Sequence, residues 1–107
     1  MAKKARTKTS TKIRNPKFIE KVPDEYVFWC CDSRKFTDMK ELVEGLNTMS
    51  DDTYIFHVNA EKNDFYNWVR DIIRDEELAT GLLQATSRLA AAQCAASRLA
   101  FLTVKSS

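Results

Sequence analysis

The sequence contains few of the residues that interrupt helices. Among its 107 residues are two prolines, Pro16 and Pro23, and only two glycines. Sandwiches and barrels built from short strands need many turns, and such turns are rich in Gly and Pro. The hydrophobic share of 44% is enough for one core. We therefore predict a mainly α protein of the α+β class: a compact helical domain with a short N-terminal β strand or hairpin and a long Ala-rich C-terminal helix.

A basic N-terminus precedes an acidic remainder. Residues 1–21 hold eight basic residues and one acidic residue, a net charge of +7, and because the whole chain is +2, residues 22–107 carry −5. The first seventeen residues have almost nothing to bury, so they cannot offset the entropy lost on ordering. We predict a disordered basic tail over residues 1–17 and a single helical domain over residues 18–107.

The segment after the tail is predicted to form the β element. Tyr26 to Cys31 is aromatic and β-branched, which favours a strand. Asp32-Ser33 is a plausible turn, and the three residues that follow, up to Phe36, are predicted to return as a second strand. A two-stranded ribbon is marginal alone, so we expect it to pack on helices.

Residues suited to helix N-caps precede four predicted helices, namely Thr37, Ser50, Asn63 or Asp64, and Asp75. Apolar residues at helical spacing in the first three helices are predicted to face the core: Met39, Leu42, Val43 and Leu46; then Tyr54, Ile55 and Val58; then Phe65, Trp68, Val69, Ile72 and Ile73.

The last helix is predicted to run from Glu76 to about Thr103, since no proline interrupts it. It carries a heptad-like seam with many small residues, which would allow a partner helix to approach closely. The predicted oligomer interface on this seam is Leu82, Leu89, Ala92, Ala96 and Leu99. The alternative is a bend near Ala85–Ser87, with the distal half packed back on the same chain.

The stretch HVNAEKNDFYNWVRDII, from His57 to Ile73, holds most of the residues capable of chemistry. It contains the one histidine of the chain but no Ser-His-Asp grouping, glycine-rich phosphate loop or HExxH motif. The adjacent Cys30 and Cys31 lack the gap found in zinc knuckles. We therefore predict no catalytic residues, no metal site, no cofactor and no enzymatic activity; an enzyme using His57 and Asp64 is the disfavoured alternative.

The chain from Phe28 to Ala79 resembles a family of small prokaryotic, largely archaeal, domains of unknown function. The shared motifs are His-Val-Asn at 57–59, Asn-Asp-Phe-x-x-Trp-Val-x-Asp at 63–71 and Asp-x-x-Leu-Ala at 75–79. The resemblance implies an α-rich fold with a short β element and leaves the function open. Glycine is common in that family where this chain has Ser33 and Arg74, which puts a left-handed end of the third helix in doubt.

The basic tail is the feature that most suggests a function. Phosphate contacts by Lys and Arg need no base readout, and we predict that the tail binds DNA or RNA without sequence preference. The predicted contacts are Lys3, Lys4, Arg6, Lys8, Lys12, Arg14 and Lys17. The alternative is a protein-interaction or oligomerisation module, with a homodimer as one form, that uses the acidic body and the C-terminal helix. The thiols and the absence of an export signal favour the cytoplasm, and no membrane partner is expected.

Overall fold

The structure is a computed structural model that describes residues 16–104. Its helices are α1 (Met39–Thr48), α2 (Asp51–His57), α3 (Asp64–Trp68), α4 (Glu76–Gln84) and α5 (Arg88–Val104). Two antiparallel hairpins pair β1 (Phe28–Trp29) with β2 (Lys35–Phe36), and β3 (Val58–Asn59) with β4 (Lys62–Asn63). Short 3-10 turns cover Pro16–Ile19 and Asp24–Tyr26, and a π-helical segment covers Val69–Ile73. The predicted mainly α (α+β) fold is confirmed.

The first hairpin is the predicted strand, turn and strand, with shorter strands. Cys30 and Arg34 form a backbone hydrogen bond of 2.8 Å, and the Ser33 N–H donates to the Cys30 carbonyl at 3.1 Å. Ser33 has a φ of 81°. A residue in this left-handed region is what a three-residue hairpin loop requires, although Gly or Asn usually supplies it. The register places Phe28 opposite Phe36 on the buried side and Trp29 opposite Lys35 on the exposed side.

The N-cap prediction for α1 was wrong by one residue. Asp38, not Thr37, caps the helix by accepting from the Glu41 N–H at 2.9 Å. This register puts Glu41 at the third helical position, from which its carboxylate reaches back to the Thr37 N–H at 2.7 Å. The arrangement is close to a capping box, and it moves the start of α1 toward Met39.

The cap predictions for α2, α3 and α4 are confirmed, with Ser50, Asn63 and Asp75 each accepting from the backbone N–H three residues on. One predicted core residue of α2 was wrong, since Ile55 is largely exposed whereas Tyr54 and His57 are buried. The cause is the three-residue spacing of Tyr54 and His57, which turns this short helix so that Ile55 faces outward.

The third helix ends in the left-handed conformation despite the absence of glycine. After Trp68 it widens into the π-helical segment, and the Arg74 N–H donates to the Val69 carbonyl at 2.6 Å. Arg74 has φ 72° and ψ 23°, which is the left-handed region. The doubt raised by the sequence about this termination was therefore wrong. The bonding pattern, rather than the residue type, determines the backbone here.

The prediction of one continuous C-terminal helix was also wrong, because the chain breaks at Ala85–Ser87 into α4 and α5. Ser87 caps α5 by accepting from the Ala90 N–H at 3.0 Å. The next residue, Arg88, donates to the Leu46 carbonyl at 2.9 Å near the end of α1 and pairs with Asp51 at 2.8 Å. These contacts hold α5 against its own chain, which is the alternative that the sequence left open.

The core lies between α1, α3, α4 and α5, with the first hairpin packed against its aromatic end. Gly45 in α1 is buried beneath the Phe36 ring, where an added Cβ would overlap the ring atoms. Gly81 in α4 lies in the same way against the Cys94 thiol of α5. Both glycines therefore allow a close approach between elements rather than a turn.

Candidate functional site

His57 is the centre of a buried polar cluster. Its side chain lies at the C-terminal end of α2, and the residue is 4% exposed. The Cys31 N–H donates to His57 Nε2 at 3.1 Å, and His57 Nδ1 lies 2.9 Å from Asp64 Oδ2. Because Nε2 accepts, the proton of the neutral imidazole is on Nδ1 and is donated to Asp64. The histidine thus links the turn of the first hairpin to the start of α3.

The carboxylate of Asp64 has two hydrogen-bonding partners, His57 and Lys62. Lys62 Nζ lies 2.9 Å from the same Oδ2 that receives the His57 proton. Burial raises the pKa of Asp64 and is the largest single influence, but the hydrogen bonds from His57 and Lys62 together outweigh it, so the pKa is lowered. Asp64 is therefore held in its ionised, accepting form.

In composition, this cluster resembles a catalytic triad of a nucleophile, a base and an acid, but its geometry is different. A general base needs a free ring nitrogen directed at the nucleophile. Here His57 Nε2 accepts the backbone N–H of Cys31 rather than the thiol proton. The neighbouring thiol of Cys30 is buried, and burial is the main cause that raises its pKa. The arrangement as it stands holds the hairpin in place.

A second buried polar pair joins α4 to α5. Arg98 Nε lies 2.7 Å from Oδ2 of Asp75, which is 1% exposed. Asp75 Oδ1 also accepts from the Leu78 N–H, so this carboxylate is both a helix cap and an ion-pair partner. Arg98 further lies 5.3 Å from the Phe101 ring centroid. These bonds satisfy the pair and account for its burial.

Two exposed aromatic side chains each lie beside a lysine. Trp29 is 67% exposed, and Lys35 Nζ is 5.8 Å from its ring centroid. Phe56 is 57% exposed, and Lys62 Nζ is 4.9 Å from its ring centroid. The exposure of these two aromatic side chains was not predicted from the sequence. It could have been predicted for Trp29, because successive side chains of a strand point to opposite faces and its neighbour Phe28 is buried.

The predicted oligomer-interface residues are divided between core and surface. Leu82 and Ala92 are buried within the chain's own core, and Ala96 and Leu99 are half-buried. Leu89 is 60% exposed. Since two of the five side chains already pack inside the chain, the structure does not bring this set together as one exposed seam.

The predicted nucleic-acid contacts lie almost wholly outside the described residues. Lys3, Lys4, Arg6, Lys8, Lys12 and Arg14 precede residue 16, and Lys17 belongs to the first 3-10 turn, with its side chain outside the described part. Lys21 is described, and its Nζ lies 3.3 Å from Asp38 and 3.8 Å from Glu41. Lys21 therefore pairs with the acidic start of α1, although it contributes to the charge of +7.

Among residues 16–104, no group of three or more His, Cys, Asp or Glu side chains is placed to hold a metal ion. Within the same part of the chain, no helix has the length and apolar character required to cross a membrane.

Comparisons of the chain with family models, with curated proteins and with solved structures found no match. The resemblance to the small prokaryotic domain family therefore stays a prediction.

Proposed function

We propose that this chain is a non-enzymatic, nucleic-acid-associated protein of the cytoplasm that binds phosphate backbones through its basic N-terminal arm. The observation that carries the proposal is the concentration of charge, +7 over residues 1–21 against −5 over the remainder. Polyanions attract such a segment through counterion release, which depends on charge and not on base sequence. The three free thiols of Cys30, Cys31 and Cys94 fit a reducing compartment.

The charges of the folded body support the proposal that the arm, rather than the body, binds phosphate. Its exposed basic residues are interspersed with carboxylates, as in the pairs Arg34–Asp32 and Arg70–Asp71, at 2.8 and 2.7 Å. A body with net negative charge repels phosphates. The arm is therefore the part of the chain expected to supply the electrostatic affinity.

The test is affinity for duplex DNA and structured RNA in the full-length chain. A triple substitution of Lys4, Arg6 and Lys8 to Gln removes three charges from the arm. The matched control substitutes three exposed body residues, Lys40, Arg70 and Arg74, with Gln. We expect the arm variant alone to lose affinity, with the slope of log K against log salt reduced by about 3. Equal effects of the two variants would refute an arm-based mechanism.

A protein-interaction or oligomerisation module is the second candidate, and one surface favours it. Ile55 and Leu83 are 57% and 55% exposed, and each lines a surface cleft that also includes Val58 and Ala85. Neighbouring exposed apolar residues are typical of docking surfaces. The test is the molar mass in solution of the native chain and an Ile55→Ser, Leu83→Ser variant. A concentration-dependent dimer lost in that variant supports this function, and a monomer at all concentrations argues against self-association.

A further inference from the structure

We propose that Trp29 and Phe56 are stacking sites for unpaired bases, so that this protein binds single-stranded nucleic acid more tightly than a duplex. This inference rests on the proposed function and specifies its target. The arm supplies affinity for any phosphate backbone, whereas the two rings distinguish a single strand from a duplex. In a duplex the base faces are already stacked on each other and are not available to a side chain.

The exposure of Trp29 follows from the fold. Residues on either side of it, Phe28 and Cys30, are buried, and the pairing of β1 with β2 leaves Trp29 on the outer face of the hairpin. A tryptophan with 67% of its surface in water forgoes a large burial gain. Such a ring on an ordered strand is a preformed flat apolar surface, which is what a base face requires.

The lysines indicate a ligand that is both aromatic and anionic. Lys35 is paired with Trp29 across the hairpin, and Lys62 lies over the exposed ring of Phe56. A base stacked on Trp29 would place its phosphate within reach of Lys35, and at Phe56 the ammonium group of Lys62 would be shared between the phosphate and Asp64. Grooves that bind single strands combine stacking rings and cations in this way.

The two rings are linked through the buried histidine cluster. Trp29 lies two residues before Cys31, whose N–H donates to His57, and the His57 ring contacts the Phe56 ring at a centroid distance of 5.0 Å. Phe56 therefore contacts His57 directly, and Trp29 is two residues from the backbone group that His57 binds. His57 fixes the turn of the first hairpin relative to α2, so both rings are carried by elements that the buried cluster joins.

Carboxylates near the two rings would repel the phosphates of a bound strand. Asp32 is paired with Arg34, and Asp64 with Lys62, which offsets the charge of both carboxylates. Asp52, however, lies one helical turn before Phe56 on the exposed side of α2. Salt screens the repulsion between Asp52 and a phosphate at physiological ionic strength.

The experiment measures affinity of the full-length chain for a single-stranded DNA oligonucleotide and for the duplex of the same sequence. Trp29→Ala and Phe56→Ala should each weaken single-strand binding by about tenfold, within the range found for loss of one stacked base. The affinity for duplex and the salt slope should stay unchanged, because no charge is removed. Leu89→Ala is the matched control, since Leu89 is equally exposed and apolar but has no ring.

Fluorescence gives a readout that a purely structural role would not change. Trp68 is buried with its Nε1 donating to the Tyr26 carbonyl at 2.7 Å, so quenching on addition of a single strand should come from Trp29. In Trp29→Phe the quenching should disappear while most of the affinity is retained. This pair of results would establish direct stacking.

The failures of the two proposals are distinguishable. If the native chain binds the single strand and the duplex equally and neither alanine variant changes this, stacking is refuted and arm binding stands; the exposed rings would then be candidates for a protein partner. If the native chain binds neither nucleic acid at low salt, both proposals are refuted.

Discussion

Arg74 provides a direct test of how the fold is held at the end of the third helix. Its φ of 72° and ψ of 23° are left-handed, and its N–H donates to the Val69 carbonyl. For a residue with a Cβ this conformation costs about 1–2 kcal/mol, a cost that glycine does not have. Glycine in turn loses more backbone entropy on folding, roughly 0.5–1 kcal/mol. The difference between these two ranges is centred on about 0.75 kcal/mol, which is the net gain expected for Arg74→Gly.

The assay is urea unfolding together with thermal unfolding of the native chain, Arg74→Gly and Arg74→Ala. The alanine variant is the control because it removes the same exposed side chain but keeps the Cβ. We expect Arg74→Gly to raise Tm by about 2–8 °C and Arg74→Ala to leave it nearly unchanged. Equal stability of the glycine and alanine variants would refute the reasoning, since the Cβ would then carry no conformational cost at this position.

The structure also predicts the direction of three further changes in stability. Gly45→Ala should destabilise by about 1–3 kcal/mol in denaturant unfolding, because its Cβ overlaps the buried Phe36 ring. Arg98→Met should destabilise by about 3–5 kcal/mol, because it leaves a buried carboxylate without its ion-pair partner. The hydrogen bond from Arg34 lowers the pKa of Asp32 to about 2, so the contribution of this pair is full above pH 4 and is lost as the pH falls to about 2.

Each of these predictions has a matched control. Gly45→Ala should be partly rescued by Phe36→Leu, and additive losses would argue against a clash. Arg98→Met should be partly rescued by Asp75→Asn, which removes the unpaired charge; no rescue would show that the loss comes from packing alone. The stability difference between the native chain and Asp32→Asn should shrink between pH 4 and pH 2, and a constant difference would contradict the role of the ion pair.

Local features of the fold were predictable from the sequence. Ser50, Asp75, and either Asn63 or Asp64 were predicted as caps, because a cap requires one side chain and a backbone N–H three residues away. The caps observed are Ser50, Asn63 and Asp75. The inward face of the third helix was likewise readable from spacing, and Phe65 and Trp68 are buried. Such predictions need no knowledge of distant parts of the chain.

Features that depend on distant contacts could not be decided from the sequence. The break between α4 and α5, which the sequence offered as the alternative to one long helix, contains no Gly or Pro. Arg88 stabilises it through carbonyls of α1 more than forty residues earlier in the chain. His57 has a partner in Cys31, which lies 26 residues away. The exposure of Phe56 depends on how α2 is turned by Tyr54. In each case tertiary contacts decide among local conformations of similar energy.

The salt dependence of nucleic-acid binding tests the central proposal most directly. Seven arm residues, Lys3 to Lys17, are proposed to meet phosphates, and for a duplex each contributes about −0.9 to the slope of log K against log salt. The native chain should therefore give a slope of about −6 over a salt series that starts near 50 mM. A slope no steeper than about −2 would contradict binding of phosphates by the arm.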